Sequence, residues 1–249
     1  MKMNLYVIIP VYNEEKNIET LILSLSLVRE KIGQKYKIVI IFVDDGSIDN
    51  TLENIKKYTS NFPLVVLSHS NNLGPGAAFG TAFEYLFDHL CSDDLVVTME
   101  GDNTSSIKTL NHMLIRKKEG YDVVLASPYL YGGSFSQISK KRLVLSHIAN
   151  GLVKIFLGVK GIQTFSCFFR VYSGSIIQRL QAKYGNRILE TIGFESMVEM
   201  VAKLIKIGAT ISEVELKLNW ELRKGKSKMK TSKTIIGYLR LFAIRNRIL

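Results

Sequence analysis

A doubly wound, mostly parallel α/β sheet is the fold this sequence predicts, on three observations. The first half alternates short, wholly apolar runs with helical stretches of about 10 to 15 residues. Those runs lack polar alternation, as strands buried on both faces must. Polar residues gather just after the first, second and fourth runs, where the carboxyl ends of parallel strands open onto a ligand crevice.

Taken in order, residues 5–9 form the first strand, ended by Pro10. Ile18, Leu21, Ile22, Leu25 and Val28 then recur at helical spacing within residues 17–31. The second strand, 37–43, stops at Asp44-Asp45-Gly46-Ser47, and Asp49 and Thr51 open the next helix as capping residues. A third strand spans 64–67, and Asn72-Leu73-Gly74-Pro75-Gly76 leads into a helix over 77–89. The fourth strand, 95–99, ends at Glu100-Gly101-Asp102. Later elements are a strand at 121–126, a helix at 146–157, an aromatic-rich strand at 164–172, an amphipathic helix at 194–207 and an alternating edge strand at 209–218. The expected organisation is a domain over 1–220 followed by a basic segment over 221–249.

The 249 residues are 47% apolar and 22% charged, which supports a packed core and excludes disorder. Cys91 and Cys167 stand apart without a CxxC spacing, so no disulfide framework or zinc site is expected, in keeping with a reducing compartment. The first apolar run stops at Pro10, too short for a signal-peptide core, and no 18-residue apolar stretch predicts a transmembrane helix. A net charge of +11 calls for an anionic partner. Residues 223–249 hold nine Lys or Arg and no acid. There Ile235, Ile236, Leu239, Phe242 and Ile248 can line one helix face. That face suits either an anionic membrane surface, approached peripherally, or packing on the domain. No nucleic-acid motif is present, so no nucleic-acid partner is expected.

Glu100-Gly101-Asp102 is the sharpest chemical signal. Two carboxylates at i and i+2 after a buried strand can hold Mg²⁺ or Mn²⁺ with positions left for diphosphate oxygens, although such triplets also occur in plain turns. Asp44 can accept from a base or ribose, while Asp45 equally suits capping of the following helix. Gly74-Pro75-Gly76 serves either a phosphate at a helix N-terminus or a simple turn. The dinucleotide fingerprint and the GK[ST] loop are both absent, so neither a Rossmann dehydrogenase nor a P-loop enzyme is supported.

These motifs together resemble a known family. Residues 7–18 (VIIPVYNEEKNI), Val43-Asp-Asp-Gly-Ser-Ile-Asp49, Asn72–Gly76 and Met99-Glu-Gly-Asp102 resemble family 2 glycosyltransferases of the GT-A fold. Gly132-Gly133, Arg142 with Ser146, Phe169-Arg170 and 225–229 (GKSKM) are similar to the dolichyl- or polyprenyl-phosphate sugar synthases of that family. The resemblance implies inverting transfer of a sugar from a nucleotide-sugar donor, GDP-mannose or a UDP-hexose, to a polyprenyl phosphate at the cytoplasmic face of a membrane. It puts Pro10, Tyr12, Glu14, Phe42 and Asp44 around the nucleotide, and Asp102, with Glu100 and Gly101, at the metal and donor. Arg142 and Ser146 would grip the acceptor phosphate, and Arg223 and Lys228 the donor diphosphate. Thr104 replaces a glutamine of the relatives, Pro128 an arginine and Thr164 an aspartate. Thr164 cannot act as a base, and Glu195 is either its substitute or a helix N-terminal acid. The alternatives are transfer to a saccharide hydroxyl and a non-catalytic nucleotide-sugar-binding module.

Overall fold

The computed structural model describes residues 2–59, 63–136, 140–225, 228 and 231–243, without the side chains of 140–142, 145 and 231–233. In chain order the strands are β1 (Met3–Val11), β2 (Tyr36–Asp44), β3 (Leu64–Ser68), β4 (Leu95–Thr98), β5 (Val123–Ser127), β6 (Ser134–Ser136), β7 (Arg170–Ser173), β8 (Ile211–Glu215) and β9 (Lys217–Asn219). The helices are α1 (Glu15–Ile32), α2 (Thr51–Lys56), α3 (Pro75–Phe87), α4 (Lys108–Lys118), α5 (Lys140–Leu157), α6 (Gly174–Tyr184), α7 (Ser196–Lys206) and α8 (Thr231–Ala243). A 3₁₀ turn covers Trp220–Leu222.

One seven-stranded sheet runs β3-β2-β1-β4-β7-β5-β8, and every pairing is parallel except those of β7 with β4 and β5. Each face carries its own core. Ile8, Ile41 and Val96 pack under α3 and α7 on one side, whereas Val7, Ile9, Phe42 and Val97 pack under α1 and α4 on the other. Strands buried on both faces have no polar side to show, which is why their sequences are continuous apolar runs.

Two expected strands are shorter than the sequence suggests. Within 164–172 only the last residues join the sheet, because Arg170 spends its guanidinium on chain carbonyls. Its Nε donates to Cys167 O (2.7 Å), and its terminal nitrogens donate to Met197 O (3.0 Å) and Phe165 O (2.6 Å), folding 165–169 into a loop. The 209–218 run divides at Leu216, whose amide bonds Ser127 O (3.0 Å) as β8 ends and the chain crosses to pair β9 with β6.

The C-terminal helix α8 packs on the domain rather than standing off it. Leu241 is buried in the α3–α7 core, and Phe242 packs against Phe156 of α5 with ring centroids 4.2 Å apart. Phe242 therefore faces inward, while Ile235, Ile236 and Leu239 remain exposed. Ile248 lies outside the described residues.

Candidate active site

The parallel strands β1, β2 and β4 end together, so the segments after them form one crevice. Gly101 lies where β4 runs out against β1. A Cβ there would meet Val11 Cγ1 at 2.8 Å and Pro10 O at 3.0 Å, so glycine alone allows the Glu100–Asp102 turn to sit this close. Asn103 follows in the left-handed region at φ 64°, which asparagine tolerates better than most residues.

Asp102 presents its two oxygens differently. Oδ1 accepts from Thr104 N (3.1 Å) and Thr104 Oγ1 (2.6 Å), which fixes the carboxylate plane. Oδ2 faces Arg223, whose guanidinium lies 3.2 Å away. Glu100 turns inward instead. Its carboxylate accepts from Ser105 Oγ (2.7 Å) and Phe168 N (3.3 Å), and burial, followed by the charge of Asp102, raises its pKa. The two carboxylates of the triplet thus do different things: Asp102 opens on the crevice, and Glu100 braces the 165–168 loop. Thr104, at the glutamine position, serves Asp102 directly.

Glu14 reaches the same point from β1. It is buried, accepts from Asn17 Nδ2, and lies 2.9 Å from Lys228 Nζ and 3.9 Å from the Arg223 guanidinium. Its pKa is raised, first by burial and also by Asp102, while Lys228 and Asn17 pull it back. Lys228 Nζ also donates to Asn13 O (2.7 Å). Four charged groups from distant segments, Glu14, Asp102, Arg223 and Lys228, therefore meet in one cluster. Among the described residues no three His, Cys, Asp or Glu side chains form a metal cage. A hard divalent ion would suit Asp102 Oδ2, where a cation already stands, with donor oxygens completing its shell.

Asp44 is buried at the end of β2, where its Oδ1 accepts from Ser47 N (3.2 Å). Tyr12 and Pro10 are half-buried beside it, and Asn13 ties the two loops by accepting from Ile48 N (2.9 Å). Phe42 is a core residue. It is wholly buried under α1 with Ile9 and Ile40, so its side chain supports the strand end and does not reach the crevice.

Asp45 does not cap α2. Its oxygens accept from Leu73 N (2.9 Å), Gly74 N (2.8 Å) and the ring of His69, so it holds the turn before α3. Gly76 N meanwhile donates to Ile192 O (2.8 Å). These amides are engaged within the protein, which makes Gly74-Pro75-Gly76 a docking turn rather than a phosphate cradle. Gly74, at φ 107°, sits against Ile192 O where a side chain would collide.

Along α5, Ser146, Asn150 and Lys154 follow at intervals of four and face inward, with Arg142 one turn earlier. The Arg142 side chain lies outside the described residues. Ser146 Oγ hydrogen-bonds the hydroxyl of Tyr129, and Lys154 Nζ donates to Gln163 Oε1 (2.8 Å). Tyr129, His147, Asn150, Lys154 and Gln163 line a polar cavity of about 190 Å³ beside Ser146. Thr164 is buried with its amide on Glu213 (2.8 Å). Glu195 is buried too, accepting from Gly193 N (3.1 Å) and packed against Gly237 of α8.

Sequence reasoning passed over Asn17 and Tyr129. Asn17 did leave a signal: it is a polar residue on the stripe of α1 that buries Ile18, Leu21 and Leu25.

The model of glycosyl transferase family 2 matches residues 6–181, more than half of the chain, and the chain belongs to that family. It is 29% identical over 239 residues to a dolichol-phosphate mannosyltransferase of Pyrococcus furiosus, covering 96% of this chain and 62% of that protein's length. It is 27% identical to a polyprenol monophosphomannose synthase of Mycolicibacterium smegmatis, covering 91% of this chain and 81% of that protein. Among solved structures, glucosyl-3-phosphoglycerate synthase from Mycobacterium tuberculosis in complex with Mn²⁺, UDP and glucosyl-3-phosphoglycerate superposes with a TM-score of 0.65 at 16% identity. That match covers 98% of this chain and 79% of the other. The fold is GT-A, the fold of these solved structures.

Proposed function

We propose that this chain transfers a hexose from GDP-mannose or a UDP-hexose to a polyprenyl phosphate, inverting the anomeric carbon, with Mg²⁺ or Mn²⁺ at Asp102. The observation that carries this reading is the meeting of Glu14, Asp102, Arg223 and Lys228 at the ends of β1 and β4. Tyr12, Asp44 and Pro10 flank that cluster and contact the nucleoside. Arg223 and Lys228 hold the diphosphate, and a divalent ion, where bound, neutralises charge on the departing nucleotide. The names of the two relatives support mannose transfer to a polyprenyl phosphate, and the Mn²⁺ and UDP of the solved neighbour support a nucleotide donor and a divalent ion.

The acceptor phosphate binds between Arg142 and Ser146. An anionic phosphate is already a nucleophile and needs positioning rather than a base. This agrees with a site where Thr164 has no basic group and Glu195 is committed to Gly193 and α8. Arg142→Lys should lose most transfer to polyprenyl phosphate, because lysine cannot reproduce the two parallel hydrogen bonds of a guanidinium. Slow hydrolysis of the donor by water should persist. The assay offers GDP-mannose, UDP-glucose and UDP-N-acetylglucosamine with Mn²⁺, with and without polyprenyl phosphate. Glycosylation of hydroxyl acceptors alone would overturn the lipid-phosphate assignment in favour of saccharide assembly.

We also infer that the protein docks peripherally on an anionic membrane at its cytoplasmic face, using residues 221–249 together with α5. Val144, Ile148, Leu152 and Ile155 (81% exposed) form an outward apolar stripe on α5, opposite its polar one. Ile235, Ile236 and Leu239 extend that apolar surface on α8, which packs beside α5. Among the described residues no helix is long and apolar enough to cross a membrane. Flotation with vesicles containing phosphatidylserine should carry the protein upward, less so at high salt. Ile155→Glu should weaken binding several-fold; undiminished binding, or none by the parent, would remove this surface.

A further inference from the structure

Asn17 joins three separate segments of the site through hydrogen bonds. Its side chain clamps the backbone of Lys224 like a strand partner: Oδ1 accepts from Lys224 N (3.0 Å), and Nδ2 donates to Lys224 O (3.0 Å). The same Nδ2 donates to Glu14. Its backbone carbonyl accepts from Asn103 Nδ2 (3.0 Å), the residue after Asp102. One buried asparagine in the first turn of α1 thus joins the β1 loop, the β4 turn and the basic segment that crosses both.

We propose that Asn17 is a positioning residue that fixes Arg223 and Lys224 over the site, setting Arg223, beside Lys228, against the donor diphosphate. This rests on the proposed donor site. The clamp grips Lys224, the neighbour of Arg223, so the guanidinium is placed by backbone hydrogen bonds and not by its own ion pairs alone. Ion pairs at an open crevice exchange readily with other charges, whereas a two-point amide clamp holds direction. Arg223 Nε is buried and has no hydrogen-bond partner among the described residues, which leaves the guanidinium a donor beyond those facing Asp102 and Glu14. A ligand oxygen that displaces the Asp102 contact would find Arg223 still in place, because Asn17 holds the chain and not the charge. Asparagine suits the role since its side chain presents an acceptor and a donor at the spacing of a peptide group for Lys224, with the second N–H of its amide left for Glu14. Aspartate lacks the donor, and glutamine is a methylene too long.

A double-mutant cycle tests the assignment, read by calorimetry of UDP and of GDP with Mn²⁺. Asn17→Ala should weaken diphosphate binding about tenfold in the parent, the size of one or two hydrogen bonds. In an Arg223→Ala/Lys228→Ala background it should change binding less than about twofold, because nothing remains for it to position. A structural role alone would give the same loss in both backgrounds, and that result would overturn the proposal. Limited trypsinolysis supplies a readout independent of donor binding. Cleavage after Arg223 and Lys224 should accelerate about tenfold in Asn17→Ala while the melting temperature of the domain holds. Should Asn17→Ala fail to fold, Asn17→Ser, too short to span both Lys224 atoms, takes its place with the same expectations. Unchanged cleavage would overturn the clamp. A parent that binds neither diphosphate would instead remove the donor-site reading, with the cleavage rates still deciding whether Asn17 tethers the segment.

Discussion

Asp102→Asn is expected to lower sugar transfer by about two to three orders of magnitude while leaving the melting temperature within a few degrees. Asparagine keeps the acceptor that Thr104 uses, so the turn should hold its shape. It removes the charge that faces the crevice. Stabilising a departing diphosphate through a bound ion contributes several kcal/mol, and each 1.4 kcal/mol is about tenfold in rate. Arg223 loses its partner at 3.2 Å, but Glu14 remains near it at 3.9 Å, so the guanidinium is not stranded. Initial rates at saturating donor, with parallel thermal melts, separate lost chemistry from lost fold. EDTA should reproduce the loss in the parent. Full turnover by the variant, or by the parent in EDTA, would end the metal assignment.

The largest expected loss of stability lies far from that chemistry. Lys203 and Glu199 on α7 are both 0% exposed and paired at 2.7 Å. Removing one partner of a buried pair typically costs about 3–5 kcal/mol, because the other charge is left without compensation. For a chain of this size that is a fall of roughly 6–20 °C in melting temperature. Lys203→Ala should show it, and Lys203→Met with Glu199→Gln should recover much of it. A fall below about 2 °C for the single variant would mean that Glu199 finds another partner. The pair also reaches the site indirectly. Glu199 accepts from Glu190 N (2.8 Å) and Thr191 N (2.9 Å), and the next residue, Ile192, receives Gly76 N. Lys203→Ala should therefore loosen the start of α3 as well, measurable as faster amide exchange at Gly76.

The strand ends and their acids were legible because they depend on local rules. A run such as 5–9 has no polar residue to turn toward water, so it must be a doubly buried strand. Parallel strands then bring their carboxyl ends to one edge, which is how Glu14, Asp44 and Asp102 could be grouped before any coordinates. Helices α4 and α6 were not picked out, since α4 carries its apolar residues sparsely among charges. The 164–172 strand was overestimated because β-propensity cannot register an arginine that binds three carbonyls.

What the sequence determined by itself is the alternating α/β chain, the edge at which its acids collect and, through resemblance, the family. What only the tertiary structure decided is the partner of each polar group. Asp45 could cap α2 a few residues on, or spend its oxygens on a turn some 28 residues away. The choice went to Leu73 and Gly74 because β3 brings that turn alongside β2. Asn17 likewise sits 207 residues from the backbone it clamps, and Arg223 is separated from Asp102 by most of the chain. Hydrophobic periodicity is a local property and survives in a linear string. Hydrogen bonds and ion pairs between distant segments are set by where the sheet order β3-β2-β1-β4 places the loops, and that order exists only once the chain has folded.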